Sequence, residues 1–165
     1  MDAREHPKGH KTVAQSRTEV TRTVFYQDIN GFNRLFGGRL MEWIDEAAGI
    51  AAKRHCGSTI TTACVDQLQF KHAVYLDDDV VIVARVTYVG NTSLEVRVDS
   101  YAEDCHTRER SLINTAYLTE VCIDKDGNPR TIEYGLKLET DEERDEWEAA
   151  QKRIALRRTR KAQGF

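Results

Sequence analysis

Between Gly38 and His55 the apolar residues Leu40, Ile44, Ala47, Ala48 and Ala51 recur at i, i+4, i+7, i+8 and i+11, while Arg39, Glu42, Glu46 and Lys53 fall on the other side. That period makes the segment one long amphipathic helix, which Gly57 ends. Its second half, Ala47-Ala48-Gly49-Ile50-Ala51-Ala52, is small-sided. Small side chains let a sheet approach closely, so the helix is expected to be central and enclosed. The residues after it supply the sheet: four runs rich in Val, Ile, Thr and Tyr at about Thr59–Lys71, Asp79–Gly90, Thr92–Cys105 and Arg110–Asp124. Gly90-Asn91 has the chemistry of a two-residue hairpin turn, which makes the runs on either side antiparallel neighbours. A further strand is expected at about Ser16–Tyr26, and the plan as a whole is α+β, with one helix against one face of an antiparallel sheet.

The other segments are less regular. The loop QDINGFNRLFGG mixes the turn formers Asp28, Asn30, Gly31 and Asn33 with the large apolar residues Ile29, Phe32 and Phe36, so it is expected to pack against something. Residues 1–15 read as a flexible N-terminal arm, 16–132 as the domain, and 133–165 as a charged helical extension. Thr140 and Glu143 form a capping box at the start of that last helix. Residues 139–148 carry seven acids and 152–161 six bases, an order the helix dipole favours. The sorted charges suit a solvated helix or a basic patch for a nucleotide phosphate, and the thin stripe of Trp147, Ala150 and Ile154 suits weak docking or a neighbouring subunit.

Composition narrows the function classes. At 165 residues, 40% apolar and 31% charged, the chain has the make-up of one globular domain. Its formal charge of −3 provides no basic field for nucleic acid. No apolar run is long enough to span a membrane, and residues 1–15 lack a secretory signal, so a cytoplasmic location is expected. Cys56, Cys64, Cys105 and Cys122 show neither a CxxC pair nor a compact Cys/His cluster, so no metal is expected. Reduced thiols fit the same compartment.

Three features could carry chemistry. Asp45 falls in the row of Met41, Ala48 and Ala52, on the apolar side of the helix. A carboxylate there needs either a structural partner or a catalytic reason. Phe36-Gly37-Gly38 brings two glycines to the helix start, where free N–H groups could polarise a carbonyl or the glycines could simply serve the turn. Asn30 offers an amide donor and acceptor, or is a turn residue.

Taken together, the stretch from Asn30 through Phe36-Gly37-Gly38 to Asp45 resembles the signature of hotdog-fold acyl-CoA thioesterases of the acyl-CoA hydrolase branch. Further likeness lies in Ala52-Lys53-Arg54-His55-Cys56, Phe70-Lys71-His72-Ala73-Val74, Thr92-Ser93 with Glu95-Val96, and Asp126-Gly127-Asn128-Pro129-Arg130, so the resemblance covers about residues 17–132. Asn33 stands where a Gly is usual, Ala73 replaces a Pro, and Asp78-Asp79 replaces Gly-Asp; these departures bear on loop shape and substrate range.

The resemblance implies a hotdog fold, a long antiparallel sheet wrapped around the central helix with the C-terminal helix as an addition. It also implies acyl-CoA as substrate, hydrolysed to free fatty acid and CoA, with a homodimer as the minimal active unit and a hexamer, a trimer of dimers, as the expected assembly. Asn30 and the Gly37 and Gly38 amides of one subunit would face Asp45 of the other. Phe36, Phe70, Lys71, Thr92 and Ser93, in the matched segments, join Gly37 and Gly38 as expected substrate contacts. No cofactor is implied, since CoA enters only as part of substrate and product. Asp45 could act as general base or as nucleophile. A hydroxyacyl-thioester dehydratase or hydratase, which would want a His paired with an acid, and a non-catalytic acyl-CoA-binding module are the alternatives. No Gly-x-Ser-x-Gly elbow is present, which argues against a serine hydrolase.

Overall fold

The computed structural model describes residues 6–104 and 106–164. Residues 1–5 of the expected arm and Cys105 lie outside the described residues. In chain order the elements are β1 (His10–Thr12), α1 (Val13–Ser16), β2 (Thr18–Thr23), a short 3-10 turn (Tyr26–Asp28), α2 (Gly37–Cys56), β3 (Thr59–Phe70), β4 (Asp79–Val89), β5 (Ser93–Glu103), β6 (Arg110–Ile123), β7 (Gly135–Lys137) and α3 (Asp141–Ala162). Strands β2 to β6 form one sheet in the order β2-β4-β5-β6-β3 with every neighbouring pair antiparallel. The sheet curls around α2 as a half-barrel, and Leu40, Ile44, Ala47, Ala48, Ala51 and Ala52 of the helix are buried in its hollow with Val96, Val98 and Leu118 of the strands.

The long helix and the four long strands stand within a residue or two of where the pattern puts them. The hairpin turn is displaced by one residue: Gly90 N–H donates to the Ser93 carbonyl at 2.7 Å, so Asn91-Thr92 make the reversal. A Cβ on Gly90 would stand 2.8 Å from that carbonyl oxygen, which is why a glycine is needed there. The arm is not loose from His10 onward. β1 pairs in parallel with β7, in the register His10 with Gly135, and Val13 and Ser16 of α1 are buried. Lys11 then reaches the C-terminus of α2, where its ammonium donates to the carbonyls of Arg54 and His55 at 2.7 and 2.8 Å.

The C-terminal helix docks on its own sheet, on the face opposite α2, and not as a solvated rod. Trp147 and Ala150 are buried, and the Trp147 ring lies 4.5 Å from that of Tyr88. Its bases meet carboxylates of the sheet that would otherwise be buried unpaired. Arg153 bonds both oxygens of Glu95 at 2.7 and 3.1 Å, and Arg157 pairs with Asp66. Glu146 receives Arg97 from β5. Dipole sorting therefore explains only part of the charge pattern; Arg153 and Arg157 are committed to strands β5 and β3.

Candidate active site

The loop ahead of α2 is held by its own polar groups. Asp28 is buried, accepts the Phe25 N–H at 3.0 Å and pairs with Arg39 at 3.0 Å, tying the loop to the first turn of the helix. The side-chain oxygen of Asn30 accepts the N–H groups of Phe32 (2.9 Å) and Arg34 (3.3 Å). Its carboxamide N–H₂ is thereby turned outward from the turn it builds, so the turn and donor readings of Asn30 are compatible. Asn33 adopts φ 56°, the left-handed region that Asn tolerates better than most residues. Leu35 N–H donates to the Val74 carbonyl, which closes the loop onto the segment after β3.

Packing of this loop is less complete than its apolar content suggests. Ile29 and Leu35 pack on the core, whereas Phe32 is 83% exposed and Phe36 57%. α2 begins at Gly37 after Phe36, which provides no side-chain cap, so helix geometry leaves the Gly37 and Gly38 N–H groups without intrahelical acceptors. A cleft of about 410 Å³ opens beside them, lined among others by Asn30, Arg34, Gly37, Phe70, Lys71 and His72.

Asp45 departs from its expected setting. In the single chain it is exposed, at the margin of the buried stripe beside the half-exposed Met41, and not on the enclosed face with Ala48 and Ala52. The sheet does not curl far enough to cover that side of α2. Asp45 lines a second cleft of about 280 Å³ with Gly38, Met41, Val65 and Leu68. It has a partner that the sequence did not reveal: the Thr62 hydroxyl on β3 donates to Asp45 Oδ1 at 2.7 Å. Behind Thr62, and directly opposite it in the ladder, lies Glu120 of β6, fully buried, with both carboxyl oxygens 3.2 Å from the same hydroxyl. Burial, with the Asp45 charge adding to it against the Thr62 hydrogen bond, pushes the Glu120 carboxyl up to about 7.

Comparison with known proteins decides the family. The Thioesterase superfamily profile matches residues 32–109. An uncharacterised acyl-CoA thioester hydrolase of Bacillus subtilis is 41% identical over 115 residues, covering 70% of this chain and 67% of that protein. The chain belongs to the hotdog-fold acyl-CoA thioester hydrolases. Among solved structures of this family, the acyl-CoA hydrolase of Staphylococcus aureus, in complex with butyryl-CoA, CoA and CoA disulfide, is 34% identical with a TM-score of 0.87 and covers 93% of each chain. The same protein has been solved as variants with an Asn, an Asp or a Thr replaced by Ala. An apo hexameric acyl-CoA thioesterase is 34% identical with a TM-score of 0.88, covering 93% of this chain and 98% of that one.

Within this family member, one chain assembles its signature residues in two separate places. Asn30, Gly37, Phe70 and Lys71 share the first cleft; Gly38 and Asp45 share the second. Phe36 stands over Gly38, where a Cβ would come within 2.5 Å of its ring. Thr92 and Ser93 lie at the β4–β5 turn and line neither cleft. Arg34 and Thr62 were not among the expected site residues: an arginine in a loop carries no spacing signal, and a threonine in a strand rich in threonine carries none either.

Proposed function

We propose that the chain hydrolyses acyl-CoA to a free fatty acid and CoA, with Asp45 as general base. The observation that carries this reading is the setting of Asp45. Its Oδ1 is held by the Thr62 hydroxyl, while Oδ2 is left to an open, largely apolar cleft next to a helix start with free amides. In the proposed reaction a water gives a proton to Asp45 Oδ2 and its oxygen adds to the thioester carbonyl carbon. Charge developing on the carbonyl oxygen is met by the Gly37 and Gly38 N–H groups. The C–S bond then breaks, and the departing thiolate takes the proton from Asp45. Asn30, its side-chain oxygen spent on the turn, has its N–H₂ free to orient the carbonyl or the water.

The two clefts support a site completed by a second copy. β3 is a twelve-residue strand on the open edge of the sheet, and Phe36, Met41, Val65 and Phe70 are exposed around it. Pairing two such edges would cover this apolar rim and bring Asn30 and the helix start of one subunit to Asp45 of the other. A trimer of such dimers is the proposed assembly, in keeping with the hexameric state of a relative. The replaced Asn, Asp and Thr of the Staphylococcus aureus hydrolase stand at the same two intervals as Asn30, Asp45 and Thr62. Arg34 and Lys71 would give the mouth of the first cleft cationic character for CoA phosphates, with Thr92 and Ser93 as outer contacts if another subunit brings them near. No helix among the described residues is long and apolar enough to cross a membrane, and Cys56, Cys64 and Cys122 are free thiols. Free thiols suit a reducing compartment, and we place the activity in the cytoplasm.

A dehydratase would need a histidine in the site; His55 is fully buried with Nε2 3.2 Å from the Tyr134 carbonyl, and His72 lines the first cleft with no acid among its lining residues. Free-thiol release from a panel of acyl-CoA thioesters tests the reading, and absence of turnover across the panel would overturn it. A single turnover in ¹⁸O-water separates base from nucleophile. A general base puts ¹⁸O into the first product acid, whereas an anhydride formed with Asp45 and opened by water at the Asp45 carboxyl carbon puts a protein oxygen there.

A further inference from the structure

We propose that Glu120 is a positioning residue whose protonated carboxyl, through the Thr62 hydroxyl, fixes the Asp45 carboxylate for hydrolysis. The proposal rests on the reading of Asp45 given above and deepens it.

Proton counting leads to it. Three oxygen-bearing groups meet at Thr62, whose hydroxyl has a single proton to give. The 2.7 Å contact to Asp45 Oδ1 takes that proton. Glu120 nevertheless keeps both of its oxygens 3.2 Å from the same Oγ1. An ionised Glu120 would set lone pairs against lone pairs there; a protonated one donates to Thr62 and completes the chain Glu120 to Thr62 to Asp45. Of the two carboxyls, Glu120 is the one that holds the proton, because it is fully buried while Asp45 meets solvent.

The surroundings agree. α2 contributes the Asp45 carboxylate and, at its end, the Cys56 thiol, itself pushed up to about 12 by burial. β3 contributes Thr62, β5 the apolar Leu94 opposite Glu120 in the ladder, and β6 the thiol of Cys122 two residues on. Among the described residues no ion pair to Glu120 favours its ionised form. When Glu120 does ionise, two carboxylates compete for one hydroxyl proton and Asp45 loses its fixed geometry. Its own proton stays in place during turnover; Glu120 sets the position of the base and does not touch substrate.

The test combines an infrared measurement with pH–rate profiles of the assembled protein. Infrared difference spectra between wild type and Glu120→Gln at pH 6 should show a protonated-carboxyl C=O band that fades as pH rises through about 7. Wild-type kcat on an acyl-CoA substrate, corrected for spontaneous hydrolysis, should fall roughly tenfold across the same range as Asp45 is released. Glu120→Gln, whose amide remains a donor at every pH, should match wild type at pH 6 and show no such fall. Glu120→Ala should be impaired throughout, and Thr62→Val should remove the step. Identical profiles for wild type and Glu120→Gln, or absence of the band, would overturn the proposal even if Glu120→Ala fails to fold. Wild type that turns over no thioester would instead overturn the proposed reaction.

Discussion

Glu120→Gln should stabilise the protein in mild alkali and leave it unchanged in acid. Burial raises the folded-state value of this carboxyl from 4.5 to about 7. Below 4.5 the group is protonated in both the folded and the unfolded chain and contributes no difference. Between 4.5 and the folded value the unfolded chain releases its proton while the folded one keeps it, so stability falls with rising pH and levels off once the buried group also ionises above about 7. The gap of about 2.5 pH units corresponds to about 3 kcal/mol by pH 8. Glutamine keeps the shape and a donor toward Thr62 but cannot ionise, so it escapes that cost. Urea unfolding at pH 4 and pH 8, at one protein concentration because assembly is linked to folding, would measure the difference. Equal midpoints for the two proteins at pH 8, or a less stable variant there, would mean that Glu120 carries no ionisation cost in the folded chain.

Two further outcomes follow from other buried charges. Arg153→Ala strands Glu95, 1% exposed, without its bidentate partner and should cost about 3–5 kcal/mol in urea unfolding, with Glu95→Gln in the same chain recovering part of the loss. His55 is pushed down to about 4, chiefly by burial, so the folded chain holds it neutral. Stability from this group is complete above 6.5 and is lost as pH falls from there towards 4, by up to about 3 kcal/mol relative to His55→Gln. Thermal melts of the two proteins between pH 7 and 4 should therefore diverge toward acid.

What the sequence made legible was whatever has a period. The 3.6-residue recurrence from Leu40 to Ala51 and the long β-branched runs survive as α2 and β3 to β6, because each presents a continuous face to one core. β1 and β7 are three residues each and more than a hundred positions apart, so neither carries a pattern that announces the other. The spacing of Asn30, Gly37, Gly38 and Asp45 identified the signature segment. Periodicity could not show that the sheet stops short of Asp45, since row position along a helix says nothing of how far a sheet curls. Thr62 and Glu120 stayed hidden for a related reason: each is ordinary within its own strand, and only the ladder register sets them opposite one another beneath Asp45. The pairing of Arg153 with Glu95 is likewise a contact between distant elements that charge sorting within α3 alone conceals.

If Asp45 serves the reaction and not the fold, Asp45→Ala should separate the two, with Glu42→Ala as an exposed-acid control on the same helix. Steady-state thioester hydrolysis and thermal melting of both variants are the measurements. Because Asp45 is exposed in the chain and the Thr62 hydroxyl it releases has Glu120 3.2 Å away, the melting temperature should hold or rise. Turnover should fall by roughly 10²–10⁴, the share that general-base catalysis contributes. Near-normal hydrolysis together with a large drop in melting temperature would contradict the account and make Asp45 a structural residue.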